Sequence, residues 1–162
     1  DLNISCHHLD EIQNAHDDST LLSLLSSFNE AQDGCLFLFT SPQKITRSIQ
    51  WQKTLLDLHN KGLLHICIDE CHLYAQFGLE FRNEFVRLKE SLLQPILSSG
   101  KPISILFQTA TAMRECVQEI QQLTGVTLQK NNLLWSNNLT TISRRTISIN
   151  VVVQIIALAS VC

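Results

Sequence analysis

Three short runs of uninterrupted apolar character constrain this chain more than any other feature: Cys35–Phe39, Leu63–Ile68 and Ile103–Phe107. Each is strand-length, and between them lie stretches whose apolar residues recur at helical spacing. A strand that is apolar at nearly every position is buried on both faces, which is the condition of a parallel sheet reached through helical crossovers. The expected fold is therefore α/β, a mostly parallel sheet with helices on both faces. In such sheets the chemistry sits in the loops beyond the strand C-termini. Here those loops carry Thr40–Ser41–Pro42, Asp69–Glu70–Cys71–His72 and Thr109–Ala110–Thr111. All three polar clusters should fall on one edge of the sheet.

The intervening pattern predicts a helix from about Thr20 to Ala31, broken by Asp33–Gly34, and another from about Thr46 to Asn60, closed by Lys61–Gly62. A third covers Phe81 to Leu97, with Pro95 expected to end or bend it. A fourth runs from Met113 to Leu123 and closes at Gly125. Alternation over Thr146–Val153 suggests one more strand. The organisation expected is a polar lead-in with one helix over 1–33, a single domain over 34–155 and an apolar tail over 156–162. Asp1 is not a methionine and the chain stops inside an apolar stretch, so both ends are expected to lie within a longer polypeptide.

Composition narrows the function classes. At 162 residues, 44% hydrophobic and 17% charged, the chain suits one globular domain or a large part of one. Its formal charge of −3 excludes a broadly basic nucleic-acid surface, so any such contact has to be local. The longest apolar run, Val151–Cys162, includes Gln154 and Ser160 and is too short to span a bilayer, so no membrane partner is expected. Six irregularly spaced cysteines, several within apolar or helical runs, fit reduced thiols better than a disulfide framework. In that setting the Asn3 and Asn138 sequons carry no meaning.

An apolar strand running directly into two acids matches the second motif of nucleotide hydrolases. Asp69 would hold Mg²⁺, a hard cation that prefers carboxylate oxygens, and Glu70 would orient or deprotonate the attacking water. A solvated acidic pair opening a loop is the plain alternative. His72 shifts the balance, since acid-acid-X-His after an apolar strand is much rarer than the acidic pair. Two other constellations are weaker. His65 and Cys67 alternate on a buried strand while Cys71 and His72 are adjacent beyond its end, so four ligands do not converge on zinc. Neighbouring Cys71 and His72 also lack the third group that would orient a nucleophile–base pair. Arg144–Arg145 reads as a solvated basic pair, with phosphate contact as its alternative.

Ile68–His72 resembles the DEAD/DEAH-type box of superfamily-two helicases, in an Asp-Glu-Cys-His form. The following Leu73–Phe85 resembles the aromatic-rich loop of RecQ-type helicases, with Cys71 where that family usually has alanine and Phe77 where it has tryptophan. Phe107–Ala112 resembles the family's next motif, and Leu38–Pro42 its strand-loop motif that contacts the DNA backbone. The resemblance covers roughly residues 30–125, and Leu134–Trp135 with Ser143–Ile147 fits the closing strand of the lobe more loosely.

The resemblance implies a RecA-like P-loop NTPase lobe, truncated at its N-terminus, from an ATP-dependent DNA helicase of 3′-to-5′ polarity. It implies ATP and Mg²⁺ as cofactors, with Asp69 on the metal and Glu70 on water. His72, grouped with these catalytic acids, and Gln76 would couple hydrolysis to DNA engagement, and Thr109 and Thr111 would relay between the lobes. Thr40, Pro42, Phe77, Phe81 and Arg82 would contact DNA, through backbone, stacking and phosphate. Partners would be single-stranded DNA, duplex junctions and a second helicase lobe, in the nucleus. Phenylalanine at 77 keeps a stacking face and loses an indole N–H.

One requirement is not met. A phosphate-binding loop needs Gly-x-x-x-x-Gly-Lys-Ser/Thr. Of the glycines at 34, 62, 78, 100 and 125, only Gly100 precedes a lysine, and Pro102 follows. Nor does the sequence hold a second lobe with its arginine finger. The chain alone is therefore expected to be a poor ATPase. Two classes remain open: a fragment of a DNA-dependent ATPase, and a non-catalytic helicase descendant that binds nucleic acid or another partner.

Overall fold

The computed structural model describes residues 4–12, 14–28, 34–71, 79–109, 114–127 and 151–156. The elements run β1 (Ile4–His8), a 3-10 turn (Leu9–Glu11), α1 (Ala15–Ser26), β2 (Cys35–Thr40), α2 (Pro42–Thr46), α3 (Ile49–Asn60) and β3 (Leu64–Asp69). They continue with α4 (Leu79–Leu88), a π turn (Lys89–Leu93), α5 (Gln94–Ser98), β4 (Ser104–Phe107), α6 (Arg114–Thr124) and β5 (Val151–Ile156). The five strands form one sheet in the order β1-β2-β5-β3-β4, and every pairing is parallel.

The three apolar runs become β2, β3 and β4, each within a residue of its expected span. Other expectations shift. α1 starts five residues before Thr20 because Asn14 caps it, accepting a hydrogen bond from the Asp17 amide at 2.8 Å. It ends at Ser26, and Ala31 lies outside the described residues. The helix expected from about Thr46 to Asn60 starts at Ile49, where Ser48 caps it, and a short additional helix α2, capped by Ser41 with Pro42 in its first turn, precedes it. The third helix is interrupted by the π turn, and Pro95 falls just after it, in the first turn of α5. β1 has no counterpart in the sequence reading: Ile-Ser-Cys-His-His is too polar to register as a strand, yet it pairs with β2 over five positions.

The last strand occupies 151–156, with 146–150 outside the described residues, and it is central. Val151 pairs with both Leu36 and Leu64, and the register continues to Ile155 with Thr40 and Ile68. β2 and β3 therefore meet only through β5.

Register and alternation place Leu36, Leu38, Leu64, Ile66 and Ile68 on one sheet face, and all belong to the main apolar core. The described helices form a continuous layer on that face: α1 packs on α3, α3 on the π turn and α5, and α4 on α6. Trp51, Leu55 and Leu58 of α3 are fully buried there, beside Leu88, Leu92 and Ile96. Of the helices expected on both faces, those among the described residues lie on this one. The connections β1 to β2, β2 to β3 and β3 to β4 all advance in the same direction across the sheet, and crossovers of one hand then stay on one side. The opposite face carries Ile4, Cys6 and His8, then Cys35, Phe37 and Phe39, then His65 and Cys67, and Ser104 and Leu106. His8 stacks on Phe39 with ring centres 4.8 Å apart. Leu106 is 55% exposed. Among the described residues, no helix is long and apolar enough to cross a membrane.

Candidate functional site

Because all five strands are parallel, the C-termini of β2, β3 and β4 share one edge, and so do the loops that follow them. That edge is the candidate site.

The loop after β2 is the most completely fixed. Thr40 is buried, and its hydroxyl donates to the Ser41 carbonyl at 3.3 Å. The Ser41 amide and hydroxyl both donate to the Asp10 carboxylate, the amide at 2.6 Å. Ser41 Oγ in turn accepts from the Lys44 amide at 3.3 Å, which starts α2. Asp10, just beyond β1, thus locks the Thr40–Ser41–Pro42 loop from 31 positions away, a role that no local sequence pattern signals. Beside the loop lies a cleft of about 350 Å³ lined by Asp10, Asp18, Gln43, Lys44, Arg47, Ser48 and Trp51. Asp18 holds it together, accepting from the Trp51 indole at 3.1 Å and pairing with Lys44 at 3.1 Å.

The loops after β3 and β4 are tied by backbone. The Gln108 amide donates to the Ile68 carbonyl at 2.9 Å, and the Cys71 amide donates to the Gln108 carbonyl at 3.0 Å. Two backbone hydrogen bonds therefore join the Ile68–Cys71 turn to Gln108, next to Thr109. Asp69, at the end of β3, accepts from the Glu70 amide at 2.8 Å. Glu70 has φ of +48°, left-handed backbone that a residue with a Cβ rarely adopts and that often marks functional loops. Cys71 is buried beneath the turn. Burial pushes the Cys67 thiol up, and the nearby Asp69 charge adds to this, which disfavours the reactive thiolate. The Thr40 and Asp69 strand ends are separated by β5, which sets them roughly 10 Å apart across the sheet.

Of the residues singled out from sequence, Thr40, Pro42, Asp69, Glu70 and Thr109 lie on this edge. Phe81 and Arg82 stand in the first turns of α4, which follows the acidic loop. His72, Gln76, Phe77 and Thr111 lie outside the described residues. Asp69 and Glu70 supply the hard oxygen donors that suit Mg²⁺, but the described residues contain no group of three or more candidate metal ligands. The sequence has no glycine-rich loop to bring phosphate oxygens to the metal. Among the described residues, Asp69 and Glu70 by themselves do not complete a nucleotide–metal site.

The chain is 37% identical over 75 residues to the RecQ-like DNA helicase blm-1 of Caenorhabditis elegans, an overlap of 46% of this chain and 8% of that protein. It is 27% identical over 99 residues to ATP-dependent DNA helicase Q-like 2 of Arabidopsis thaliana, covering 60% of this chain and 13% of that protein. It shares partial, low-identity homology with RecQ-like DNA helicases. No protein-family model matches it. The chain spans about a tenth of the length of these relatives.

Proposed function

We propose that this chain is a helicase-derived nucleic-acid-binding segment that does not turn over ATP by itself. The observation that carries this reading is the backbone lock Ile68–Gln108–Cys71, which holds the acidic box and the Thr109 segment together on the sheet edge shared by the Thr40–Ser41–Pro42 loop. That edge offers polar loops spaced along a ridge, suited to tracking a single-stranded backbone, with Arg82 and Phe81 on the helix behind it. The sequence lacks a phosphate-binding loop, so the same edge has nothing to grip the β- and γ-phosphates. Residues 34–155 are then the later part of a RecA-like motor lobe, in a nuclear protein acting on single strands and junctions.

The test is fluorescence anisotropy with a labelled single-stranded oligonucleotide across a salt series, beside a phosphate-release assay. Few basic residues are available, so binding should be weak, with a slope of log K against log salt of about −1 to −2, set by one to three phosphate contacts. Binding that ignores salt, or Glu70-dependent hydrolysis by the chain alone, overturns the proposal. A second reading rests on the intact Asp69–Glu70 pair at the end of β3: the parent protein is a Mg²⁺- and ATP-dependent helicase of 3′-to-5′ polarity. Fusion to a segment carrying the phosphate loop should then restore ATPase, and Glu70→Gln should abolish it. A folded fusion with no activity counts against this second reading.

A further inference from the structure

The two outer strands of the sheet differ in kind. β1, at one end, reads Ile-Ser-Cys-His-His, a composition suited to an edge that faces water. β4, at the other end, reads Ser-Ile-Leu-Phe and carries no charge, proline or bulge. Such a run belongs inside a parallel sheet, and an edge strand without those devices is a template for a further strand. Exposure agrees. Leu106 is 55% exposed on the helix-free face, and Ile105 and Phe107 are only half-buried on the helix side.

The backbone of β4 decides what fits there. In a parallel ladder a residue's N–H and C=O point to the same neighbouring strand, and successive residues alternate. The Gln108 amide donates to the Ile68 carbonyl at 2.9 Å, so Gln108, Leu106 and Ser104 address β3. Ile105 and Phe107 therefore direct their N–H and C=O outward, where the strand order places no described strand. Two outward residues flank Leu106, which is the pattern an antiparallel copy of the same strand requires. With a two-fold axis through the Leu106 positions, Ile105 of each copy lies opposite Phe107 of the other and exchanges both backbone hydrogen bonds with it. Leu106 meets Leu106 in the non-hydrogen-bonded position, where opposed side chains come closest. Ser104 lies opposite Gln108, a hydroxyl against a carboxamide. Apolar residues meet on both faces and polar residues meet at the ends.

We propose that β4 is a self-pairing edge, through which two copies of this chain join into one continuous sheet about a two-fold axis. The occupant is a second copy because one centre, Leu106, satisfies both the hydrogen-bond alternation and the side-chain match. The strands of the two copies run in opposite directions, so their candidate edges point opposite ways.

The experiment measures the mass of the full chain by sedimentation equilibrium over about 1 µM to 1 mM, the range of weak to moderate self-association. A dimer is expected to grow in with concentration, and hydrogen exchange should show the Ile105 and Phe107 amides gaining protection as it does. Leu106→Lys or Leu106→Glu alone sets like charges face to face and should give monomer. An equimolar mixture of the two variants should recover a dimer containing one of each. Ile4→Lys, at a residue 56% exposed on β1, should leave the dimer intact. Monomer at every concentration for the unaltered chain overturns the proposal and leaves the edge to a strand of another polypeptide. So does a dimer that survives Leu106→Lys, a mixture that stays monomeric, or a dimer that a folded Ile4→Lys chain no longer forms. If the variants at position 106 do not fold, hydrogen exchange on the unaltered chain still decides. A growing dimer with unchanged protection at Ile105 and Phe107 places the contact elsewhere and overturns the proposal.

Discussion

Asp10 and Glu70 shape the candidate edge in opposite ways, one by anchoring a loop and one by holding an unfavourable backbone. The Asp10 carboxylate satisfies both the amide and the hydroxyl of Ser41. Asp10→Ala strips an acceptor from a buried serine, and should lower stability by about 1–3 kcal/mol in a urea titration. Glu70 at φ +48° sits where a branched side chain clashes most with its own backbone. Replacing it by valine should leave the chain less stable than replacing it by glycine, by about 1–2 kcal/mol. Equal midpoints for the two variants would rule out strain at this position. The acidic box was legible in sequence because it interrupts an apolar run. Asp10 was not, since its partner is distant in the chain and an acid in a polar stretch looks like any solvated acid.

At the scale of elements, what was visible followed from burial. β2, β3 and β4 announced themselves by continuous apolar character, whereas the edge strand β1, exposed at Ile4, Cys6 and His8, has a composition no different from a loop. The π turn at Lys89–Leu93 lies inside a continuous helical pattern, so nothing in residue spacing foretold it. It leaves Ser91 Oγ buried without a hydrogen-bond partner among the described residues. Ser91→Ala should therefore raise stability by about 1 kcal/mol, read as a higher urea midpoint at unchanged slope. The end of α3 meets the end of α5 through His59, whose ring nitrogen lies 2.8 Å from Ser99 Oγ. Burial, with Lys101 nearby, holds the imidazole below its ordinary value near 6.5. The unfolded chain then binds the proton more readily than the folded one. The contribution is present in full above pH 6.5 and fades as pH falls through the folded-state value. His59→Gln should flatten that acid-side decline, measured by denaturation at several pH values.

The molecule as a whole is a parallel sheet with its described helices on one side. On its other face Leu106 is exposed, while Phe37 and Phe39 are half-buried. Surfaces of that kind attract apolar dyes and promote association. Leu106→Lys should reduce dye fluorescence and raise solubility while shifting stability by no more than about 0.5 kcal/mol, since the side chain is mostly exposed. Apolar runs do not reveal strand order, and strand order decides where crossovers lie, so the sequence could not assign each described helix to a face. The resemblance to RecQ-type helicases, by contrast, was carried by short local motifs, and partial, low-identity homology to RecQ-like helicases is found.

The central position of β5 also bears on how the protein is made. Leu36 and Val151 are register partners separated by more than a hundred positions, so the middle of the sheet is the most non-local contact in the fold. Non-local pairing is slow to form because loop closure precedes any gain from it. During synthesis β1 with β2, and β3 with β4, can each zip as they emerge, leaving two half-sheets with open inner edges. Those edges stay bare until residues 151–156 have been translated, which makes the nascent chain a natural client for chaperones that shield strand edges.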